Sequence, residues 1–155
     1  MNTVILHSLL FLNIVFIGLV TGGAMVVAVA YNRLLADLAR PETLIVHRGL
    51  GRYIDPYQPT LAMIGLAAGI GELFFIHSSW QMLCLLLGIG GIAVLIVLSR
   101  TISVPLSRKI VNWDPATGED HLEHMKTRWI GYHWLRSSFG LLGFLFFVVA
   151  ALLLI

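Results

Sequence analysis

The chain has 155 residues, of which 58% are hydrophobic and only 12% are charged, and its mean hydropathy is +0.89. Soluble domains carry about twice that share of charge, so the composition excludes a soluble globular domain and a disordered chain. A net charge of +2 spread over so apolar a sequence excludes a nucleic-acid-binding protein, and the one cysteine excludes an internal disulfide framework.

Four apolar stretches are long enough to cross a lipid bilayer, which takes about 20 residues of helix. They cover about residues 3–31, 60–76, 82–98 and 137–155. The first has no basic start and continues in a helical pattern, so we interpret it as a retained span and not as a signal peptide. The sequence therefore predicts one all-α domain over residues 1–155, an integral membrane antiparallel four-helix bundle with cytoplasmic helix extensions.

The basic residues predict the orientation of this bundle. All ten lysines and arginines lie in two segments, one between the first and second spans and one between the third span and the core of the fourth. The short connection 77–81 and both chain ends have none. By the positive-inside rule we expect both long loops in the cytoplasm and both termini outside, in a multi-pass protein of a bacterial inner membrane.

Small residues predict which helix faces pack inward, because they let membrane helices approach closely. Each span has two glycines three or four residues apart: Gly18 and Gly22, Gly65 and Gly69, Gly88 and Gly91, Gly140 and Gly143. Helical spacing places polar side chains on the same four faces, namely His7, Glu72, Cys84 and the set Trp129, His133 and Arg136. We therefore expect polar groups where the helices meet.

Glu72 is the one acidic residue of eight that lies inside a predicted span. An ionisable side chain there costs a few kcal/mol and indicates a function. His7 lies at a similar depth, and the two could bind a metal, relay a proton or hold a quinone, with Met82 or Cys84 as a soft ligand for copper. The alternatives are a Glu72 that is protonated or hydrogen-bonded for packing alone, and a His7 that faces the lipid headgroups.

The inner end carries a second set of candidates. Trp129, His133 and Arg136 share one stripe, and we expect them to line a cavity near the cytoplasmic surface. Arg52, Tyr53 or Tyr57, from the base of the second span, are expected close by. The alternative for Arg136 is a positive-inside residue whose charged end extends to the headgroups.

Two short motifs at this end resemble those of the anthrone oxygenase family of small four-span membrane proteins. The segment Ser103–Ser107, Ser-Val-Pro-Leu-Ser, resembles its x-x-Pro-Leu-Asn motif. The segment Arg128–Ser137 resembles its Arg-Trp-x-x-x-Asn-x-x-Arg-Thr motif, and the Gly18–Gly22 pair is also similar. Ser107 and His133 stand where the family has asparagine.

This resemblance implies an oxygenase that needs no cofactor and acts on a lipophilic aromatic small molecule that enters from the bilayer. A proton leaves the acidic carbon between the rings, and the resulting anion passes an electron to O2. His133 would then be the base, Arg136 would hold the oxyanion, and Trp129 would stack on the rings. Arg52, Tyr53, Tyr57 and Tyr132 complete the predicted substrate-binding set.

A non-catalytic function fits the same sequence. In this alternative the chain is an accessory subunit of a larger membrane complex or a homo-oligomer, and its glycine stripes pack on partner helices. Its histidines would then be structural or bind haem or a quinone. An absorption spectrum and a metal analysis of the purified protein distinguish these alternatives from the cofactor-free oxygenase.

Overall fold

The computed structural model describes residues 2–38, 40–53 and 56–154. Helix makes up 90% of the structure and no strand occurs among the described residues, which confirms the predicted all-α class. The α-helices are α1 (Asn2–Val26), α2 (Asn32–Asp37), α3 (Arg40–Tyr53), α4 (Tyr57–Glu72), α5 (Ser79–Leu98), α6 (Val104–Val111) and α7 (Glu119–Leu152). The π-helical segments Val27–Tyr31 and Ser99–Ser103 continue α1 into α2 and α5 into α6.

Among the described residues, three helical stretches are long and apolar enough to cross a membrane: Thr3–Ala30, Ser79–Val111 and Glu119–Leu152. The shorter α4 has 16 residues, which is about 24 Å at 1.5 Å per residue. Its final turn is followed by the turn residues 73–75, where the sequence predicts that the span continues to residue 76. The buried residues of α4 form one face made mostly of small side chains: Ala62, Gly65, Ala68, Gly69 and Glu72.

Glycines lie where α5 packs closely on α7 and where α4 packs closely on α1. A Cβ atom added to Gly91 of α5 would lie 2.8 Å from the Cα atom of Gly143 in α7. A Cβ added to Gly65 of α4 would lie 2.6 Å from the Cδ1 atom of Ile17 in α1. Gly22 does not belong to such a contact, because it is exposed and a Cβ there would meet nothing within 4 Å.

Beyond the bundle, α3, α6 and the first half of α7 form a second apolar core. Its buried members come from four parts of the chain: Val27, Leu50, Ile110, Trp113, Leu122, Met125 and Trp129. The chain enters α7 through a tight turn, Pro115–Thr117, and Gly118, whose φ of +85° suits glycine because it has no Cβ. This second core packs α3 on α6 and α6 on α7 at the end of the bundle where the candidate site lies.

Candidate functional site

Trp129, His133 and Arg136 lie on one face of α7, and less than a tenth of each side chain is exposed. The Arg136 guanidinium donates from Nε and Nη2 to His133 Nδ1, at 3.1 Å and 2.9 Å. On the other side of the ring, His133 Nε2 lies 3.1 Å from the carbonyl oxygen of Ala24 in α1. Arg136 therefore belongs to a hydrogen-bonded network inside the fold, and its side chain does not extend outward.

These contacts assign the tautomer of His133. An arginine has only donors, so Nδ1 must be the acceptor and Nε2 carries the proton that is donated to Ala24. Both ring nitrogens are then engaged by the protein, which leaves neither free to take a proton from a substrate. The role of general base that the resemblance implies does not fit this geometry, whereas a role in fixing the Arg136 guanidinium does.

Arg136 also links α7 to the end of α5. Its Nη1 donates to Ser99 Oγ at 2.8 Å, and that hydroxyl donates to the Leu95 carbonyl at 2.6 Å. Ser99 opens one π-helical segment, and Ala24 lies three residues before the other. Single π-turns within α-helices occur frequently at functional sites, because they displace the regular backbone hydrogen bonds. Ala24, the partner of His133, and Ser99, the partner of Arg136, thus both lie in or next to a π-helical segment.

Trp129 is held between two histidines. Its ring stacks on His133 with centroids 4.9 Å apart and an interplanar angle of 22°. His47, from α3, meets the same ring edge-on at 4.8 Å and 81°. These two ring contacts fix the indole, and His133 covers one of its faces, so Trp129 is a wall of the site.

His47 is a member of this cluster that the sequence does not single out. Its side chain is fully buried, and its Nδ1 lies 3.5 Å from Ser107 Oγ in α6. Burial, and to a lesser extent the positive charge of Lys126, lower the pKa of His47 from 6.5 to about 4. The ring is therefore neutral near pH 7. The sequence does not predict that His47 is buried beside Trp129, because His47 precedes the second predicted span in a segment expected to be a loop.

A cavity of about 290 Å³ opens beside Arg136. Much of its wall is apolar, from α1, α4 and α5, and its polar groups include Gln58, Ser99 and Arg136. Arg100 and Arg108 also line it, with exposed side chains. A second, much smaller cavity of about 20 Å³, the size of one water molecule, lies among Trp129, His133, Arg136 and residues of both π-helical segments and α6. Arg136 and Gln58 border both cavities.

The two motifs that resemble anthrone oxygenases meet at the smaller cavity. Its lining includes Ser103 and Ser107 from the first motif. Trp129, His133 and Arg136 come from the second. The segments are more than twenty residues apart in the sequence, at positions 103–107 and 128–137, so the fold brings them together at one site.

The four predicted substrate-binding residues lie elsewhere. Arg52, Tyr53 and Tyr57 are exposed, and the Arg52 guanidinium lies over the Tyr53 ring, 5.6 Å from its centroid. Tyr132 is half-buried and lines neither cavity at Arg136. The end of α3 and the start of α4 do contribute to the larger cavity, but through Gly51, Pro56, Gln58 and Pro59, whereas the side chains of Tyr53 and Tyr57 are exposed.

At the other end of α4, Glu72 is buried and contacts a polar group of another helix, but that group is not His7. Asn13 Nδ2 donates to Glu72 Oε1 at 2.9 Å, whereas His7 is exposed. The structure therefore does not bring His7 and Glu72 together as the predicted metal-binding pair. No group of three or more His, Cys, Asp or Glu residues in the described part of the chain is arranged to hold a metal ion. Cys84 is half-buried and packs on an apolar cluster.

The chain matches no protein-family model, no curated protein and no solved structure. The chemistry of the site therefore follows from its own residues: a buried guanidinium, fixed by a histidine and a serine, at the wall of a largely apolar cavity.

Proposed function

We propose that this chain is a four-span integral membrane protein in which α1, α4, α5 and α7 cross the bilayer. Three helical stretches with the required length and hydropathy support the proposal. The small-residue face of α4, packed against α1, supports a fourth span, and the apolar residues Leu73–Ile76 extend it towards the outer surface. The segregation of all ten basic residues supports cytoplasmic loops and outer termini.

Within this bundle, the cavity beside Arg136 binds a lipophilic small molecule with an acidic group. One observation carries this proposal: a buried guanidinium, with two further arginines nearby, borders a cavity whose other walls are mostly apolar. A ligand needs an anion or strong acceptor to pair with Arg136 and an apolar body to contact Ala62, Met63 and Leu95. At about 290 Å³ the cavity is at the lower end of the usual range for ligand sites, which favours a compact molecule of a few fused rings.

The reaction that best suits this site is the O2-dependent oxidation of a lipophilic aromatic substrate. An anthrone-type molecule becomes acidic when its anion is stabilised, and Arg136 supplies a fixed positive charge for the oxygen that carries the negative charge. The anion can then pass an electron to O2 without a cofactor; one oxygen atom of O2 becomes the new carbonyl oxygen of the quinone and the other leaves as water. In this proposal His133 is a positioning residue, since its acceptor nitrogen orients the guanidinium, and the substrate proton passes to water at the opening of the cavity.

Oxygen uptake by the purified protein tests the reaction. We expect the native protein to accelerate O2 consumption by an anthrone in detergent micelles, with the corresponding quinone as product. Arg136→Lys should lower the rate, because an ammonium does not reproduce the planar fork that bonds to His133 and Ser99 at once. Arg128→Gln, which removes an exposed arginine of the same helix, is the matched control and should leave the rate unchanged.

The test separates reaction from binding. If the anthrone binds and Arg136→Gln weakens its binding, but O2 uptake equals that of empty micelles, the oxygenase is refuted and the binding function stands. If neither occurs, the cavity is not a site for this class of ligand.

A further inference from the structure

Glu72 and Asn13 form a buried polar pair between α4 and α1. Each side chain is 1% exposed, and Asn13 Nδ2 donates to Glu72 Oε1 at 2.9 Å. Asn13 Oδ1 is also buried, and no group in the described part of the chain donates to it. A buried acceptor left without a donor is costly, so the Asn13 Oδ1 atom requires a hydrogen-bond donor.

The surroundings of the pair are apolar and closely packed. A Cβ atom added to Gly69 would lie 2.7 Å from Asn13 Nδ2 and 2.9 Å from Phe147 Cε1, so glycine at this position makes room for the amide. Nearby, Ile17, Leu85 and Phe147 form one buried cluster. No lysine or arginine forms an ion pair with Glu72 among the described residues.

The other titratable groups near this end do not supply a counter-charge. From α5, Cys84 packs on the apolar cluster as a half-buried thiol. His7 of α1 and His77, which precedes α5, are both exposed. The part of α7 that faces the pair, around Phe147, has no titratable residue. An ionised carboxylate is very unfavourable in such surroundings unless it is paired.

Protonation of Glu72 removes the buried negative charge and supplies a hydrogen-bond donor for Asn13 Oδ1. A carboxylate has no hydrogen to donate, so an ionised Glu72 leaves Asn13 Oδ1 without a partner. A neutral carboxylic acid keeps one oxygen as the acceptor of the Asn13 amide and donates from the other to Asn13 Oδ1. The two planar groups then form a closed pair with two hydrogen bonds.

We propose that Glu72 is a buried proton-binding site, in which the neutral acid donates its proton to Asn13 Oδ1 and so joins α4 to α1. The site lies about 20 Å along α4 from Gln58 at the cavity and is independent of the proposed ligand. A proton is the ligand here, and Asn13 is the residue that recognises it.

Infrared spectroscopy at pH 7 tests the protonation state directly. The native protein in lipid vesicles should show the C=O stretch of a protonated carboxylic acid, and Glu72→Gln should lack it. Exposed carboxyl groups are ionised at this pH, so the band is diagnostic in the native protein even if the variant folds poorly. Asp114→Asn, at an exposed acid, is the control and should keep the band.

A second variant tests the pairing. Asn13→Leu should keep the acid band but move it to higher frequency, because the carboxyl loses the hydrogen bonds of the amide. A native spectrum with no acid band at pH 7, or a loss of carboxylate bands in Glu72→Gln, would overturn the proton site. An acid band that Asn13→Leu leaves at the same frequency would overturn the acid–amide pair.

Discussion

Replacement of Gly91 by alanine should separate α5 from α7. The added Cβ would lie 2.8 Å from Gly143 Cα, 2.9 Å from the Phe139 carbonyl oxygen and 3.0 Å from Gly143 N. All three are backbone atoms, so no side chain can rotate away and the helices themselves must move. Overpacking of this kind costs about 1–3 kcal/mol.

Gly90→Ala is the matched control for this change, because a Cβ there would meet nothing within 4 Å. Both variants gain about the same helix propensity, near 1 kcal/mol, so the difference between them measures the collision alone. We expect Gly91→Ala to be less stable than Gly90→Ala by about 1–3 kcal/mol in SDS-induced unfolding from mixed micelles, followed by near-ultraviolet circular dichroism. Equal stability of the two variants would show that α5 and α7 do not pack at this point.

Two further predictions concern the inner core and the orientation. The pKa of His47 is lowered from 6.5 to about 4, so its contribution to stability is complete above pH 6.5 and is lost as the pH falls towards 4. A shift of this size corresponds to about 3 kcal/mol. His47→Gln should flatten the pH dependence of the melting temperature in this range, while His121→Gln, at an exposed histidine, should keep it; equal curves for the two variants would refute the assignment. For the orientation, alkaline phosphatase fused after Ile155 should be active in the periplasm, whereas activity of the same reporter fused after Gly118 would contradict cytoplasmic loops.

The sequence predicts the features that depend on one helix at a time. Hydropathy gives the long apolar helices, and the spacing of glycines gives the buried face of α4. Small residues mark close approach, so Gly91 and Gly143 are each predicted to face a neighbouring helix. The grouping of Trp129, His133 and Arg136 follows from spacing on a single helix.

The partners across helices could not be predicted, because they depend on how far one helix is rotated and shifted against another. The face of α1 that packs inward carries Asn13, Ile17 and Ala24, whereas Gly22 of the predicted glycine stripe is exposed. In this orientation of α1, His7 is exposed and Asn13 forms a hydrogen bond with Glu72. The cavity beside Arg136 is likewise a gap between several helices, so the hydrophobic periodicity of a single helix cannot predict it.

The affinity for an anthrone-type ligand, measured in the native protein, Arg136→Gln and Arg128→Gln, tests the proposed function most directly. Quenching of tryptophan fluorescence in detergent micelles gives the Kd in each case. A hydrogen bond to a charged group contributes about 1.5–3 kcal/mol, so Arg136→Gln should weaken binding by roughly ten- to a hundredfold while Arg128→Gln binds as the native protein does. An affinity that is unchanged in Arg136→Gln, or lowered equally in both variants, would contradict binding at the cavity beside Arg136.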